Sequence, residues 1–400
     1  QDVKGVTTYS IGTEPNRRVV VAYDRLHSLK RITDSLLQAE YPQGAELIIS
    51  IDRGDNRQVL EYADSLSWPF GEKRVIYRPE NLGLKRHILC CGDLTQEYDG
   101  IILLEDDLVV SPDFYRYAQE CYDFIQAQDR IAGAALYNHR LSQLTEKIFE
   151  PLEDGFDNWY FRYACSWGQL WTREKWRAFR DWLEENQDYD FAGSEKIPAH
   201  IKDWGAHSWL KYHIAYCIET DKLFLYPRVA RTTCFSDPGV NFSHSEHTFQ
   251  VPLMSGGRMG RLRLSTPETS KAVYDQWMES LYLQSCLEEQ TCIDLYGSKE
   301  SFEGKPFLLT SCQVENGKLL GSFGREMRPQ EQNVLSGVPG DVFRLYELTP
   351  GSKKRPKTAQ MRQADADYYI RGISYPYKKT ILSLFWQETI QKVRQKLGVK

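Results

Sequence analysis

The segment "DGIILLEDDLVVSPDF" spans residues 99–114 and joins three different patterns. Its short run of Ile and Leu, bounded by Gly on one side and by charge on the other, is typical of a buried strand. The run ends in three adjacent acids, Glu105, Asp106 and Asp107. The Ser-Pro-Asp sequence that follows supplies a cap, a proline for the first helical position and an acid near the positive end of the helix dipole. We therefore expect a strand, an acidic turn and a helix, in this order.

The chain before this segment alternates strand and helix patterns. "RRVVVAYDR" predicts a buried strand, and "LHSLKRITDSLLQAE" follows it with apolar residues at helical spacing. "AELIISIDRG" and "KRVIYRPENLG" are two more short β-prone runs. Because strands that alternate with helices indicate βαβ units, the predicted fold class is α/β, with a Rossmann-like, mostly parallel and twisted sheet flanked by helices.

The chain after this segment continues the alternation and then changes character. "RIAGAALYN" and "KLFLYPRVA" predict strands, and residues 172–185 predict a helix. Residues 238–267, rich in Gly, Ser, His and Arg, predict a long functional or mobile loop. "ETSKAVYDQWMESLYLQSCLEEQ" predicts another helix, and residues 297–348 predict a small β subdomain. We therefore expect a main α/β domain over residues 1–265 and a C-terminal α+β extension over residues 266–400.

The end of the chain is basic and amphipathic. "KKTILSLFWQETIQKVRQKLGVK" places apolar residues on one side of a predicted helix and Lys and Arg around them. The last fifty residues hold 12 Lys or Arg and 3 Asp or Glu, although the whole chain has a formal net charge of −5. This helix is predicted either to contact an anionic surface or to pack on its own domain.

Composition narrows the setting of the protein. A hydrophobic share of 41% over 400 residues is enough for a large core, and the acidic net charge gives no reason to expect a nucleic acid partner. Cysteines at irregular intervals with no CxxC pair favour a reducing compartment over a disulfide framework or a zinc site. Without a signal-peptide pattern or an apolar run of roughly 20 residues, we expect a cytoplasmic protein, soluble or peripheral at the inner face of the plasma membrane.

The residues themselves leave two interpretations of the three acids open. An acidic triplet after a strand can be a solvated turn. In open α/β sheets, however, ligands bind beyond the carboxyl ends of the strands, which is where this triplet lies. Neighbouring carboxylates raise one another's pKa unless a cation neutralises them, and Mg²⁺ or Mn²⁺ commonly combines one or two carboxylates with substrate phosphate oxygens. The second interpretation therefore predicts a divalent metal and a phosphorylated ligand.

Three motifs in one order resemble a known family. The AxDR turn after the first strand ("AYDR"), the SxDxG turn after the second ("SIDRG") and the EDD before a "PDF" helix resemble the donor half of N-acetylglucosaminyltransferase I and its relatives among GT-A-fold glycosyltransferases. "ENLGLKRHIL", "YACSWGQLWTREKW", "KDWGAHSWLKYH" and "LFLYPRVARTTCF" are similar, in sequence and order, to bacterial family-two-like glycosyltransferases of polysaccharide gene clusters. Together these resemblances cover about residues 19–248 and say little about the rest.

The resemblance implies roles for the residues that match these motifs. Asp107 would bind the metal that bridges the donor diphosphate, and Asp106 and Glu105 would face the ribose and the donor sugar. Arg25 and Asp52, at the ends of the first two strands, would lie beside the uracil or ribose. A pyrimidine edge needs fixed donors and acceptors, and strand ends hold them rigidly. Without the resemblance, either residue would be interpreted as part of a surface ion pair or a turn.

Further candidates lie in the loops. Lys85, in "NLGLK", is either a phosphate or nucleotide contact or a solvated lysine. In "CSWGQLW", Gly168 allows a close backbone approach and Trp167 offers a flat apolar wall, so both are expected in the sugar or acceptor pocket. His247, favoured over His244 in "VNFSHSEHTF", would complete the metal shell, although this segment lacks the GxxxTH form common in the family.

Asp203 is the candidate catalytic base. An inverting transferase without a covalent intermediate needs a carboxylate beyond the metal site to deprotonate the acceptor hydroxyl. "KDWG" stands where the resembling proteins carry an Asp-Trp base motif, and the alternative is an aspartate that caps the helix "WGAHSWLKYH". Trp204 beside it is either a sugar-stacking residue or part of the core.

The predicted function is that of an inverting glycosyltransferase that uses Mn²⁺ or Mg²⁺. It would move a sugar from a nucleotide-sugar donor, with a UDP-sugar favoured, to a glycan acceptor, and residues 1–265 would form its catalytic domain. In bacterial surface polysaccharide synthesis the acceptor is commonly carried on a membrane lipid, which would give the basic C-terminal helix a use. One alternative is a non-catalytic glycan- or nucleotide-sugar-binding protein on a transferase-like fold, which has no need for Asp203. Another is a sugar-1-phosphate nucleotidyltransferase, whose Gly-rich "GxGTRLxP"-like loop is absent from "VVVAYDRLHS".

Overall fold

The computed structural model of the protein describes residues 16–237, 249–256, 260–288, 290–302, 304–370, 386 and 389–390. The chain divides into two compact units, residues 1–305 and 306–400. Residues shortly after 265 belong to the first unit, because Val273–Tyr274 adds a strand to its sheet. The assignment of a catalytic and an accessory role to residues 1–265 and 266–400 stays a prediction.

The first unit contains one large sheet and helices on both of its faces. Its strands are β1 (Asn16–Ala22), β2 (Leu47–Ile51), β3 (Lys73–Tyr77), β4 (Gly100–Glu105), β5 (Leu108–Val110), β6 (Ile131–Ala135), β7 (Asn158–Phe161), β8 (Gln169–Thr172), β9 (Leu223–Pro227), β10 (Thr232–Cys234), β11 (Val273–Tyr274) and β12 (Thr291–Asp294). Its helices are α1 (Leu26–Leu37), α2 (Arg57–Ser65), α3 (Gly83–Gly92), α4 (Phe114–Ile125), α5 (Arg173–Glu185), α6 (Ala199–Lys202), α7 (Trp209–Glu219) and α8 (Leu281–Cys286). Within the described residues, nine strands form the large sheet in the order β11-β7-β9-β6-β8-β4-β1-β2-β3.

Parallel pairing dominates this sheet. β1 pairs in parallel with both β2 and β4, β2 with β3, β6 with β9, and β7 with β11. β8 runs antiparallel between β4 and β6, and β7 runs antiparallel to β9. Parallel neighbours need a crossover connection, and the helices between β1, β2, β3 and β4 provide it. The predicted α/β class, with a parallel-rich sheet flanked by helices, is confirmed.

Apolar packing on both faces of the sheet fixes the strand ends. On one face, Leu29, Ile32 and Leu36 of α1 are fully buried in the main core, as their helical spacing predicted. Burial of each such side chain contributes roughly 1.5–3 kcal/mol. On the opposite face, the rings of Trp171 in β8 and Trp176 in α5 lie 4.1 Å apart, centroid to centroid. The loops that follow the strands therefore begin at fixed positions.

The structure corrects the helix predicted for residues 268–290. Val273–Tyr274 pairs with β7 as an edge strand, and among the described residues of this segment only Leu281–Cys286 is helical. Between them, the carboxylate of Asp275 accepts two backbone N–H groups, each at 2.9 Å, and closes a turn. Pairing with the sheet and this turn together outweighed the helical spacing of the apolar residues.

The helix after the acidic triplet also begins later than expected. α4 begins at Phe114 rather than at Pro112. Asp113 does not cap it through its side chain, because its carboxylate accepts a hydrogen bond from Ser111 at 2.8 Å and pairs with buried Arg231 at 3.2 Å. Asp113 still directly precedes α4, at the positive end of the helix dipole where the local pattern placed it, and a tertiary ion pair is added there.

The second unit is a small α+β structure, which confirms the class predicted for the C-terminal extension. Its elements are β13 (Phe307–Thr310), β14 (Val314–Glu315), β15 (Lys318–Phe323), β16 (Phe343–Glu347), β17 (Lys353–Lys354), α9 (Gln330–Leu335) and α10 (Ala359–Ile370). β16 pairs antiparallel with β13 and β15, and β14 pairs antiparallel with β17.

The basic helix predicted for residues 378–400 lies outside the described residues, apart from Trp386, Thr389 and Ile390. No helix in the part of the chain that the structure describes has the length and apolar character needed to cross a bilayer. The cysteines are all free thiols.

Candidate functional site

Three parallel strands end at one edge of the sheet and bring the predicted motifs together. Ala22 of β1 pairs with Ile51 of β2, and Val21 of β1 pairs with Glu105 of β4. Because parallel neighbours in this register end side by side, the "AYDR", "SIDRG" and EDD segments emerge at the same edge. This is the edge at which open α/β sheets bind ligands.

Arg25 is a counter-ion of two of the three acids. Its guanidinium donates through Nη2 to Oδ1 of Asp106, and its Nη1 lies 3.5 Å from Oδ2 of Asp107. Nη1 also donates to the backbone carbonyl of Asp237 at 3.1 Å. Arg25 directly precedes α1, so the helix fixes the point from which its side chain reaches the acids. The role beside uracil or ribose that the resemblance implies for Arg25 stays a prediction.

The surroundings of the three acids disfavour their charged forms. Asp106 and Asp107 are 3% and 7% exposed. Burial, and then the charges of Asp107 and Asp106, raise the pKa of Glu105 well above its usual range, while Arg25 opposes the shift. Burial raises the pKa of Asp106 to about 7 and raises the pKa of Asp107, in both cases against the charge of Arg25. An added cation would favour the charged forms and lower these pKa values.

The carboxylate of Asp107 is only partly hydrogen-bonded within the described residues. Oδ1 is buried and has no hydrogen-bond partner among the described residues. Leaving such an atom unpaired is costly, and a hard divalent ion would satisfy it. In the described ranges, no group of three His, Cys, Asp or Glu side chains could hold a metal ion by itself. A single carboxylate combined with substrate phosphate oxygens is nevertheless a set that Mg²⁺ and Mn²⁺ accept, so Asp107 fits its predicted role.

The predicted third ligand cannot be placed beside Asp107. His247, and the alternative His244, lie outside the described residues. His247 therefore stays a prediction.

An ionic cluster beside Arg25 was not predicted from the sequence. Asp237 accepts from Oγ of Ser28 at 2.7 Å and from both Nη atoms of Arg31, one of them at 3.2 Å, and lies 3.7 Å from Nε2 of His27. Because Ser28 and Arg31 belong to α1, the cluster fastens the segment after β10 to the start of that helix. No local pattern could have revealed it, since 209 positions separate Ser28 from Asp237.

Asp52 organises the backbone at the same edge. Its Oδ1 accepts the N–H groups of Arg53 at 2.9 Å and Leu82 at 2.8 Å, and its Oδ2 accepts that of Gly83 at 2.9 Å. Gly83 begins α3, so the carboxylate lies at the positive end of that helix dipole. Asp52 thus makes the contacts expected of a turn residue. The contact of Asp52 with a nucleotide stays a prediction.

The antiparallel strand β8 brings the "SWG" loop to this edge. Gln169, at the start of β8, pairs with Leu103 near the end of β4, so Gly168 and Trp167 lie beside the strand that carries the acids. Gly168 has a φ of +90°, and a Cβ there would lie 2.7 Å from Cγ2 of Thr232. Only glycine fits this close approach without strain. Contact of Gly168 and Trp167 with a sugar stays a prediction.

Lys85 lies near the loop that carries Asp203. The Nζ of Lys85 is 3.5 Å from the ring centroid of Tyr212 in α7, and burial, followed by the charge of Lys211, lowers the pKa of Lys85. Lys211 donates to the backbone carbonyl of Trp204 at 2.8 Å. Lys85 is therefore in a cation–π contact rather than fully solvated. The contact of Lys85 with a phosphate stays a prediction.

Asp203 is exposed and ends the short helix α6. Among the described residues, no hydrogen bond or ion pair connects its carboxylate to the acidic triplet. The negative charge of Asp203 instead acts on His200, whose pKa burial lowers to about 4 against that charge. The ring of Trp204 meets the ring of Tyr163 edge to face at 6.4 Å, so Trp204 is partly packed. The role of Asp203 as the base stays a prediction.

Comparison with known proteins gives distant structural likeness only. No family model matches the chain, and no curated protein matches it. A solved structure of TarS from S. aureus is 12% identical, with a TM-score of 0.34, over 54% of this chain and 59% of that one. The mannosyltransferase PcManGT from Pyrobaculum calidifontis, in complex with GDP-Man and Mn²⁺, is 12% identical with a TM-score of 0.33 over 55% and 59%. GalNAc-T7 with UDP, GalNAc and Mn²⁺ is 11% identical with a TM-score of 0.37 over 54% and 42%.

The likeness thus spans less than two thirds of each of these proteins. Likenesses with such low TM-scores identify neither a family nor an activity.

Proposed function

We propose that this protein is an inverting, metal-dependent glycosyltransferase of the GT-A type that uses a nucleotide-sugar donor, with a UDP-sugar favoured. The observation that carries the proposal is the buried Oδ1 of Asp107, which has no partner among the described residues, at the edge where β1, β2 and β4 end. The sequence resemblance supplies the donor class, and the chemistry of the carboxylates is compatible with it.

The donor side of the proposed reaction belongs to the acidic triplet. Asp107 would hold Mn²⁺ or Mg²⁺ together with phosphate oxygens of the donor, and the bound ion would supply positive charge for the departing diphosphate. Asp106 and Glu105 would accept hydrogen bonds from ribose or sugar hydroxyls. Arg25, now paired with two acids, would be free to turn toward the nucleotide once a cation neutralises them.

The acceptor side belongs to Asp203. In an inverting transfer, the acceptor oxygen forms the new bond to the anomeric carbon as the bond to the diphosphate breaks, and a base takes the hydroxyl proton. An exposed carboxylate outside the triplet can take that proton without losing a charge partner, which supports Asp203 for this role. The negative charge leaves with the nucleoside diphosphate.

The proposal is tested by UDP release from a panel of UDP-sugars with Mn²⁺ and a glycan acceptor. Asp107→Asn should lower turnover by roughly 100-fold or more, the loss typical when an electrostatic contact to developing charge is removed. Asp99→Asn is the matched control, because Asp99 lies at the other end of β4 and pairs with Arg173 on the surface at 3.0 Å. Turnover that is equal in wild type and Asp107→Asn would refute the site. Tight donor binding without turnover would favour the non-catalytic binding protein.

We further propose that the acceptor is a lipid-linked glycan of bacterial surface polysaccharide synthesis, and that the basic end of the chain contacts the anionic membrane that carries it. This part rests on the sequence resemblance and on the 12 basic residues among the last fifty. Co-sedimentation with liposomes containing anionic lipid should fall on deletion of residues 378–400. Unchanged co-sedimentation would contradict the membrane contact without affecting the proposed chemistry.

A further inference from the structure

His139 follows β6 at the functional edge and is enclosed by aromatic rings. β6 and β4 are both antiparallel to β8, so both end at the same edge. The backbone N–H of Leu136, the first residue after β6, donates to the carbonyl of Gly168 at 2.9 Å. The segment that holds His139 therefore lies directly beside the "SWG" loop.

The rings around His139 form a box with one partly exposed wall. Their centroids lie between 5.2 and 6.3 Å from the imidazole and belong to Tyr137, Phe161, Tyr163, Trp167 and Tyr226. Four of these side chains are buried, and Trp167 alone is partly exposed. Of these five walls, Trp167, which also packs against Phe249 at 4.8 Å between centroids, is the one that solvent reaches.

The hydrogen bonding of His139 defines which ring nitrogen is unsatisfied. Nδ1 lies 3.3 Å from the amide nitrogen of Gln143, which can only donate, so Nδ1 is the acceptor. His139 is 3% exposed, and burial lowers its pKa to about 3, so the ring is neutral. A neutral ring that accepts at Nδ1 carries its proton on Nε2. That buried N–H has no acceptor among the described residues.

A buried donor without an acceptor is costly unless a ligand supplies the acceptor. Aromatic walls with one convergent polar group are typical of small-molecule sites. We propose that His139 is a specificity-determining residue, which donates Nε2–H to an oxygen of the donor sugar that lies against Trp167. This inference rests on the proposed function, because it concerns the sugar of the same nucleotide donor.

The rings also connect this position to the proposed base. Tyr163, which faces His139 at 6.3 Å between centroids, meets Trp204 at 6.4 Å, and Trp204 follows Asp203 in the chain. The hydroxyl of Tyr226 donates to the backbone carbonyl of Tyr163 at 2.8 Å, which fixes that wall. Tyr163 thus connects His139 to the loop of Asp203.

The test compares the affinities for UDP and for UDP-sugars. Binding of UDP, UDP-Glc, UDP-Gal, UDP-GlcNAc and UDP-GalNAc is measured with Mn²⁺ by calorimetry for wild type, His139→Phe and His139→Gln. His139→Phe keeps a ring of similar shape and removes the hydrogen-bond donor. It should lower the affinity for the preferred UDP-sugar about tenfold relative to the affinity for UDP, the factor expected for one hydrogen bond. His139→Gln, which retains a donor, should recover part of that ratio.

His213→Phe is the matched control. His213 is fully buried among other aromatic rings, with Phe179 at 4.2 Å and Phe224 at 5.5 Å between centroids, and neither of its ring nitrogens has a partner in the described part of the chain. Its replacement should leave the ratio of UDP-sugar to UDP affinity unchanged.

Each outcome has one meaning. A ratio that is unchanged in His139→Phe overturns the inference and leaves the proposed function standing. Loss of UDP and UDP-sugar affinity in parallel shows a purely structural role and overturns it as well. If wild type binds neither UDP nor any of the UDP-sugars, the proposed use of a uridine donor fails, and the inference fails with it.

Discussion

Nη1 of Arg25 and Oδ2 of Asp107 lie 3.5 Å apart across the edge of the sheet. The same guanidinium pairs with Asp106, so one arginine is the counter-ion of two buried carboxylates. The arrangement explains how three adjacent acids can be accommodated at a strand end, and it leaves Oδ1 of Asp107 unpaired within the described residues.

Arg25→Gln should destabilise the metal-free protein. Removing one partner leaves buried carboxylates without their counter-ion, a loss of roughly 3 kcal/mol in the free energy of unfolding. Mn²⁺ should restore part of that loss, because an ion that binds the folded state stabilises it. Thermal melting with and without Mn²⁺ measures both effects. Arg74→Gln removes an exposed ion pair with Glu97 and should change melting little in either buffer; equal losses in the two variants would contradict the interpretation.

Asp203→Asn should reduce the rate of transfer without weakening donor binding. General base catalysis typically contributes a factor of 10² to 10⁴, so we expect turnover to fall by at least roughly 100-fold. Steady-state kinetics with donor and acceptor varied separately, together with calorimetry for the donor, distinguishes rate from binding. Asp188→Asn is a suitable control, since Asp188 is exposed in the preceding loop. Normal turnover in Asp203→Asn would overturn the base role, and helix capping would not replace it, because α7 is capped by the side chain of Ser208.

Gly168→Ala should lower the free energy of unfolding more than the same substitution at Gly44, a glycine of similar φ. At Gly168 the new Cβ would meet Cγ2 of Thr232 at 2.7 Å, whereas at Gly44, with a φ of +83°, nothing lies within 4 Å. Backbone strain should cost about 1–2 kcal/mol at both positions, and overlap should add roughly 1–3 kcal/mol at Gly168 alone. Urea unfolding of both variants measures the difference. Equal losses would show that the close approach to Thr232 is easily relieved.

The second unit should lose stability in acid through Asp365. Burial raises the pKa of Asp365, but the hydrogen bonds and charges of Lys357 and Arg325 outweigh burial and lower it to about 2. A carboxyl whose folded pKa is depressed stabilises the fold above its unfolded pKa, near 3.9, and this stabilisation is lost as the pH falls toward 2.

The shift in Asp365 corresponds to roughly 2 kcal/mol. The difference in the free energy of unfolding between wild type and Asp365→Asn should therefore shrink by about that amount between pH 5 and pH 2. Asp341→Asn, at an exposed acid that pairs with Arg344, should show no comparable change. A difference that stays constant with pH would contradict the role of the ion pairs.

Much of the fold could be predicted because its signals are local. The apolar stripe of α1 and the short β-prone runs are periodic patterns in single segments, and the structure confirms them. The helix prediction for residues 268–290 was wrong because Val273–Tyr274 pairs with β7, and no local pattern reveals such a partner strand. The ion pair of Asp113 was not predictable for a similar reason, since its partner Arg231 lies 118 positions away.

The candidate site divides in the same way. The EDD triplet and the glycine at 168 were recognisable from the chain, whereas the place of His139 was not. Its one sequence signal is that it lies shortly after the strand Ile131–Ala135, and this becomes meaningful only when β8 brings that strand to the edge shared with β4. Asp237 and its pairing with Arg31 have no sequence signal at all.

By itself, the sequence determined most of the strands and helices and which acids stand at a strand end, because hydrophobic period and turn chemistry act between near neighbours. Only the tertiary structure decided that Arg25 is the counter-ion of Asp106 and Asp107, that Asp52 is engaged by backbone N–H groups, and that His139 retains an unsatisfied donor. These properties depend on burial and on distances between residues far apart in the chain. Neither quantity exists until the sheet has formed.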